Sequence, residues 1–328
     1  MSASTEPRQS LANVVLDNWR TFWLRPQPAY TLGAVRIAFG AIVVLWTVSL
    51  VGDLGEFFSS YGVLPSQKDG AYEWGAFEIW TGDRALMIGW VVLLLAAIAL
   101  TVGWHSRAAA LIVFVLIMSF EFRNPFIFNS GDALLRLEAF FVALAPSGAA
   151  LSLDQRRATG RFWSAQVRAP WSVRLMQVQV TLIYVATFLV RMSGHKWPDG
   201  TALSYAFRLE DMLIFPLPHW VSTNASLMNV ATWGTLVTEL LIGILVWNRW
   251  CRPYALIIGV VLHSIILVTV AVGFFTPAMF VLYLAFVDPD TVRRLPKTLK
   301  TFAQQRLHAP RRDSAQPQRP HVAERIMT

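Results

Sequence analysis

Eight apolar stretches decide the solvent in which this chain folds. They cover 31–52, 86–103, 108–122, 131–147, 174–192, 228–247, 253–272 and 274–288. Most approach or reach the ~20 residues that cross a bilayer. Hydrocarbon offers no water to backbone amides, so a segment at that depth closes its hydrogen bonds within itself, as a helix. Charged residues make up only 15% of the chain, against roughly 25% in soluble domains, too few to coat a water-facing surface. The sequence predicts an all-α fold, a multi-pass transmembrane helical bundle of about eight spans with short extracytoplasmic surface helices. The third and last stretches are the short ones. Residues 1–28 form an N-terminal tail, 29–290 the membrane domain and 291–328 a basic, disordered tail.

Cationic residues orient the bundle. The N-terminal tail, the loops around 107, 156–174 and 249–252, and the tail from 293 together hold 20 of the 28 lysines and arginines. Such a bias marks the cytoplasmic side. It predicts both termini in the cytoplasm of a cell (inner) membrane, with the loops 53–85 and 193–227 outside. The net charge of +8 is then a consequence of orientation, so membrane lipids and not nucleic acid are the expected charged partners. LANVVLDNWRTFWL (11–24) sets Leu11, Val14, Val15, Trp19, Phe22 and Trp23 broadly on one helical side beside Arg20 and Arg25, as an amphipathic interfacial helix would. No cleavable signal is expected in 1–30. Cys251 is the lone cysteine, so no internal disulfide and no paired-cysteine metal site is expected.

A charge inside an apolar run costs roughly 2.5–3.5 kcal/mol at mid-bilayer, so each one needs a partner or a task. Arg191 closes the run TLIYVATFLV (181–190). Its expected partner is Asp132, Glu138 or Glu239. Asn129 and Asp132 read as helix caps, and Arg136 follows Asp132 by one turn on the same face. Arg36, near the cytoplasmic end of its span, could snorkel to the interface. Glu239 and His263 lie about ten residues into their spans, near mid-membrane at ~1.5 Å per residue. Trp46, Trp90, Trp104, Trp247 and Trp250 stand at span ends, where tryptophan anchors to the interface. Residues 201–213 alternate apolar and polar groups and predict a short surface helix roofing the bundle. Arg191, Asp132, Arg136 and His263 are expected to meet in one outward-opening pocket lidded by His195–Phe207, with Trp197, Tyr205 and Phe207 across its mouth.

Five segments carry a resemblance: LGAVRIAFGAIVVL (32–45), FFSSYGVLP (57–65), NSGDALLRLEAFF (129–141), WPDGTALSYAFRLE (197–210) and LHSIILVTVAVGFFTPAMF (262–280). In this order and spacing the chain resembles the HTTM family, the membrane domain related to vitamin K-dependent gamma-carboxylase, with sporulation-delaying protein B among its relatives. The resemblance implies an outward-opening cavity in which a reduced lipid quinone meets oxygen and becomes a strong base. It also implies a lysine six residues before the tryptophan of the WPDGTAL tract, and here that position is Arg191. A lysine in an apolar pocket can give up its proton, whereas guanidinium stays charged. Arg191 can instead bind an anion bidentately. The resemblance implies quinone chemistry, the departure at Arg191 argues against glutamate carboxylation, and Arg191, His263 and Asp132, read from the residues, are the candidate catalytic groups. Arg136, Trp197, Tyr205, Phe207 and Glu239 are candidate lining of the pocket. Three function classes stay open: an enzyme modifying an exported peptide or small molecule, a non-catalytic maturation or export partner of a secreted peptide, and a carrier.

Overall fold

The computed structural model describes residues 10–63, 75–215, 217–296 and 298. One compact unit ends at Val292 and holds every helix named here; the basic tail predicted for 291–328 lies almost wholly outside the described residues. In chain order the helices are α1 (Leu11–Leu24), α2 (Tyr30–Ser49), α3 (Ala76–Ile79), α4 (Asp83–Val102), α5 (Ser106–Arg123), α6 (Ser130–Leu144) and α7 (Leu153–Thr159). They continue as α8 (Trp171–Met192), α9 (Ala202–Ala206), α10 (His219–Thr223), α11 (Ala225–Leu245), α12 (Arg252–Thr269) and α13 (Phe275–Leu284). The one sheet among the described residues is a short antiparallel pair, Gln27–Pro28 with Val167–Arg168, which ties the entry of α2 to the loop before α8.

The eight apolar stretches correspond to α2, α4, α5, α6, α8, α11, α12 and α13. Among the described residues five segments are long and apolar enough to cross a membrane: Tyr30–Gly52, Asp83–Val102, Trp171–Met192, Ala225–Leu245 and Arg252–Thr269. The other three differ for visible reasons. α5 carries Arg107, Glu121 and Arg123, α6 carries Asp132, Arg136 and Glu138, and α13 has ten residues. α13 nevertheless sits at the centre, packed against α2, α6, α8 and α12. Its run FTPAMFVLYL is apolar on all sides, the pattern of a helix with no water-facing stripe, and Thr276, Ala278, Met279, Val281, Leu282 and Tyr283 are buried.

Arg36 does not snorkel. It is fully buried, and its guanidinium donates to the carbonyls of Leu100 (2.9 Å) and Leu151 (2.5 Å). The last carbonyls of a helix lack internal partners and carry its negative dipole end, so the end of α4 provides what a buried cation needs. Gly103 makes this approach possible. Its φ of +75° is left-handed, and a Cβ there would stand 2.1 Å from the Arg36 guanidinium. Three of the expected interfacial tryptophans also turn inward, because each indole N–H has an acceptor within the bundle. Trp46 donates to Asp132 (2.7 Å), Trp90 to the Thr47 carbonyl (2.7 Å) and Trp247 to the Thr181 hydroxyl (2.7 Å). Trp104 and Trp250 remain exposed.

The expected single helix over 201–213 is broken into α9 and a 3₁₀ turn at Glu210–Met212. α9 packs on α10 and α11. The Leu203 N–H donates to the Thr232 hydroxyl (3.3 Å), and the Ser204 hydroxyl donates to the Ser222 carbonyl (2.7 Å). These local acceptors fix the turn where a longer helix would lift away.

Candidate functional site

A cavity of about 660 Å³ opens among α6, α8, α11, α12 and the start of α13. α8 provides one continuous face of it: Gln179, Leu182, Ile183, Ala186, Thr187 and Arg191 recur at spacings of three and four, as one side of a helix must. α6 adds Ser130, Ala133, Leu134 and Leu137. Glu239, His263, Ile266 and Phe275 complete the opposite wall. Most of the lining is aliphatic or aromatic; besides Ser130, Gln179 and Thr187, its polar groups fall in two clusters.

The first cluster is an ion pair. The Arg191 guanidinium contacts the Glu239 carboxylate, one of the three partners expected from sequence. Its Cζ also lies 4.1 Å from the centre of the Trp197 ring. Arg191 is therefore fixed from two directions, by a carboxylate from α11 and by an aromatic face from the loop after α8. A cation over an indole gains roughly 0.5–2 kcal/mol, more as water is excluded. Arg191 remains a quarter exposed while Glu239 is largely buried, so the charge is held at the rim of the cavity.

The second cluster joins an imidazole and two phenols. His263 Nε2 and the Tyr184 hydroxyl are 2.9 Å apart, and the Tyr184 hydroxyl is in turn hydrogen-bonded to that of Tyr283. Phe275 packs on the imidazole with ring centres 5.6 Å apart. The other imidazole nitrogen, Nδ1, is buried and has no hydrogen-bond partner among the described residues. His263 and Tyr184 both line the cavity.

Asp132 and Arg136 do not join this site. Asp132 occupies the first turn of α6, where one carboxylate oxygen accepts from the Asn129 backbone N–H (2.7 Å) and the other from the Trp46 indole (2.7 Å). Asn129 reciprocates by accepting from the Gly131 N–H (2.7 Å). Capping has consumed the carboxylate, in line with the cap reading of Asn129 and Asp132. Arg136 pairs with Glu121 of α5 at 2.6 Å, on the side of α6 away from the cavity lining. Glu138 is buried without a hydrogen-bond partner for either oxygen among the described residues, and it is not the partner of Arg191. Tyr205 and Phe207 do not line the cavity. Tyr205 lies between Lys196 (3.9 Å) and Arg208 (5.1 Å). Trp197 is outside the cavity lining as well, and of the lid expected over His195–Phe207 it is the residue that meets the site, through its ring contact with Arg191.

Sequence reasoning missed Tyr184 and Tyr283. The signal was available: each is a tyrosine deep in an apolar run (LIYVAT and VLYLAF), away from the interfacial belt where its hydroxyl would find water. Among the described residues no cluster of three His, Cys, Asp or Glu side chains could hold a metal ion.

The HTTM domain model matches residues 24–291. No curated protein and no solved structure matches the chain. The chain belongs to the HTTM family.

Proposed function

We propose that this HTTM-family chain is a multi-pass protein of the cell (inner) membrane, with both termini cytoplasmic, whose cavity binds a reduced lipid quinone for the modification of an exported peptide or small molecule. The observation that carries the reading is the cavity itself: a largely apolar wall with a fixed guanidinium at its rim and the His263 imidazole in its lining. A flat ring bearing oxygens, followed by an aliphatic tail, complements such a wall, since small-molecule sites pair apolar lining with a few placed polar groups. When bound, a reduced quinone supplies electrons and, with oxygen, a base. Arg191 attracts anionic oxygen, and its pairing with Glu239 and Trp197 keeps it aimed. A guanidinium holds its proton in proteins, so Arg191 orients charge and does not initiate deprotonation. For that reason the reading does not include glutamate carboxylation. His263 is the group at the wall that can donate or accept a proton.

The test is extraction of the purified full-length protein for quinone, followed by hydroquinone oxidation in detergent under oxygen. The expected result is retained quinone together with oxidation that falls at least about tenfold in Arg191→Gln, as removal of one charge-assisted contact predicts. Retention without oxidation would replace the enzyme reading with that of a non-catalytic maturation partner. Absence of quinone, with no binding of added hydroquinone, would overturn the site assignment.

A further inference from the structure

A second cavity, of about 320 Å³, lies between the start of α5 and the segment that joins α6 to α8. Its polar lining is Ser106, Arg107, Asp154, Gln155, Gln166 and Arg168. Local structure brings the two arginines to one place. Arg168 belongs to the antiparallel pair of Gln27–Pro28 with Val167–Arg168, and its guanidinium donates to the Gln166 side-chain oxygen. The Gln166 amide donates in turn to the Gln155 side-chain oxygen (2.9 Å), and Gln155 is buried in α7. Arg107 comes from the first turn of α5.

Asp154 does not cancel these charges. Its two oxygens already accept from the N–H groups of His105 and Ser106 and from the Ser106 hydroxyl. The ion pairs among the described residues are Arg136 with Glu121 and Arg191 with Glu239, so neither Arg107 nor Arg168 has a carboxylate partner there. Both arginines are exposed. Two guanidiniums against one carboxylate spent on capping leave the cavity cationic. Gly148, also in the lining, keeps the wall open. A Cβ there would stand 2.9 Å from an Asp154 oxygen and 3.1 Å from the Ser106 hydroxyl.

A planar guanidinium fork matches an anion with several oxygens, phosphate above all. Position narrows the source of that phosphate. Arg107 precedes the apolar stretch 108–122 and Arg168 precedes α8, so both stand at span ends, the level of lipid headgroups. Leu111 follows Arg107 by four residues, which puts the two on one face of α5, and Leu111 is 56% exposed. That face offers a cation to a headgroup and, one turn deeper, an apolar surface to an acyl chain.

We propose that this cavity binds the phosphate of an anionic phospholipid, held between Arg107 and Arg168, with an acyl chain along the Leu111 face of α5. Basic pockets at the ends of membrane helices hold anionic headgroups in this way. The site is independent of the quinone reading, because the two cavities share no lining residue.

The experiment is native mass spectrometry of the purified full-length protein in detergent, with dioleoyl phosphatidylglycerol or dioleoyl phosphatidylcholine added. The wild type is expected to retain phosphatidylglycerol at concentrations where phosphatidylcholine leaves the protein bare. Arg107→Gln and Arg168→Gln should each weaken that binding about tenfold, the loss of one charge-assisted contact. Arg249→Gln removes an exposed arginine outside the cavity and should leave binding nearly unchanged. All three side chains are exposed, so the lipid-free melting temperatures of the variants should match the wild type. Equal weakening in all three variants reduces the effect to general charge attraction and overturns the site. Displacement of phosphatidylglycerol by excess inorganic phosphate at matched ionic strength overturns the lipid as the source of the phosphate. Equal retention of the two lipids, or of neither, overturns the proposal as a whole.

Discussion

Arg191 and Asp132 had the same standing in the sequence, as charges at the outer ends of apolar runs, and the structure separates them by what surrounds each. Asp132 is the third residue of its helix, so its carboxylate is within reach of the Asn129 N–H, and the Trp46 indole takes the other oxygen. Arg191 is in the last turn of α8 and takes Glu239 from α11. Capping was legible because it depends on neighbours in sequence. The choice among Asp132, Glu138 and Glu239 was not, because it depends on the rotation of one helix about its axis relative to another, and periodicity gives a face without naming what it meets. The pair makes a direct prediction. Glu239→Gln leaves a partly buried guanidinium without its anion. The expected loss is ~2 kcal/mol, between the values for exposed and fully buried pairs. In an Arg191→Met background the same substitution should cost less than half as much. Thermal melts of the four proteins decide it, and additive losses would show that the two groups are not coupled.

At the scale of elements, helix ends in this bundle are completed by residues from elsewhere in the chain. The end of α4 is met by Arg36 of α2. The start of α5 is met by Asp154 of α7. His105, the residue before α5, has a left-handed φ of +45° and offers no side-chain cap. Asp154 accepts instead from the N–H groups of His105 and Ser106 and from the Ser106 hydroxyl, each at 2.8 Å. Partial burial pushes its carboxyl up, but these hydrogen bonds outweigh burial and hold it below the ordinary value of 3.8. A carboxyl with a depressed folded pKa contributes stability that is fully present above its unfolded value and disappears as pH falls through the folded one. The window therefore lies below about pH 4. The melting temperature of the wild type should exceed that of Asp154→Asn at about pH 6, and the difference should shrink as pH is lowered toward about pH 3. A difference that stays constant over that range would mean that the Asp154 charge does not matter to the junction. Sequence placed both loops at the same membrane side but could not foresee this contact, since residues 105 and 154 meet only through the tertiary fold.

For the whole molecule, the number of crossings depends on α13. The apolar pattern made it one of the two shortest stretches, and ten helical residues at ~1.5 Å each fall well short of a bilayer. Its ends nevertheless mark two different levels of the bundle. Before it, Leu213 and Val270 form an antiparallel bridge, so the entry to α13 shares a level with the loop 193–227. There the Phe275 backbone also packs tightly on Gly131, at the start of α6. Beyond it, the Val287 carbonyl accepts from the Thr31 hydroxyl at 2.8 Å, which places Val287 beside the beginning of α2. From Phe275 to Val287 the chain thus runs from the level of the start of α6 to that of the start of α2, aided by the non-helical turn after Leu284 and packed among α2, α6, α8 and α12, where irregular backbone is tolerated at membrane depth. We propose an eighth crossing on this ground, with both ends of the domain on the cytoplasmic side that the cationic loops predict. Single cysteines placed at exposed Glu210, Arg157 and Asp290 in a Cys251→Ser background test this in intact cells. Glu210→Cys should react with an impermeant maleimide from outside, while Arg157→Cys and Asp290→Cys should react only after permeabilisation. Labelling of Asp290→Cys from outside would make α13 re-entrant and the crossings seven, and protection of Glu210→Cys would invert the orientation read from the cationic loops.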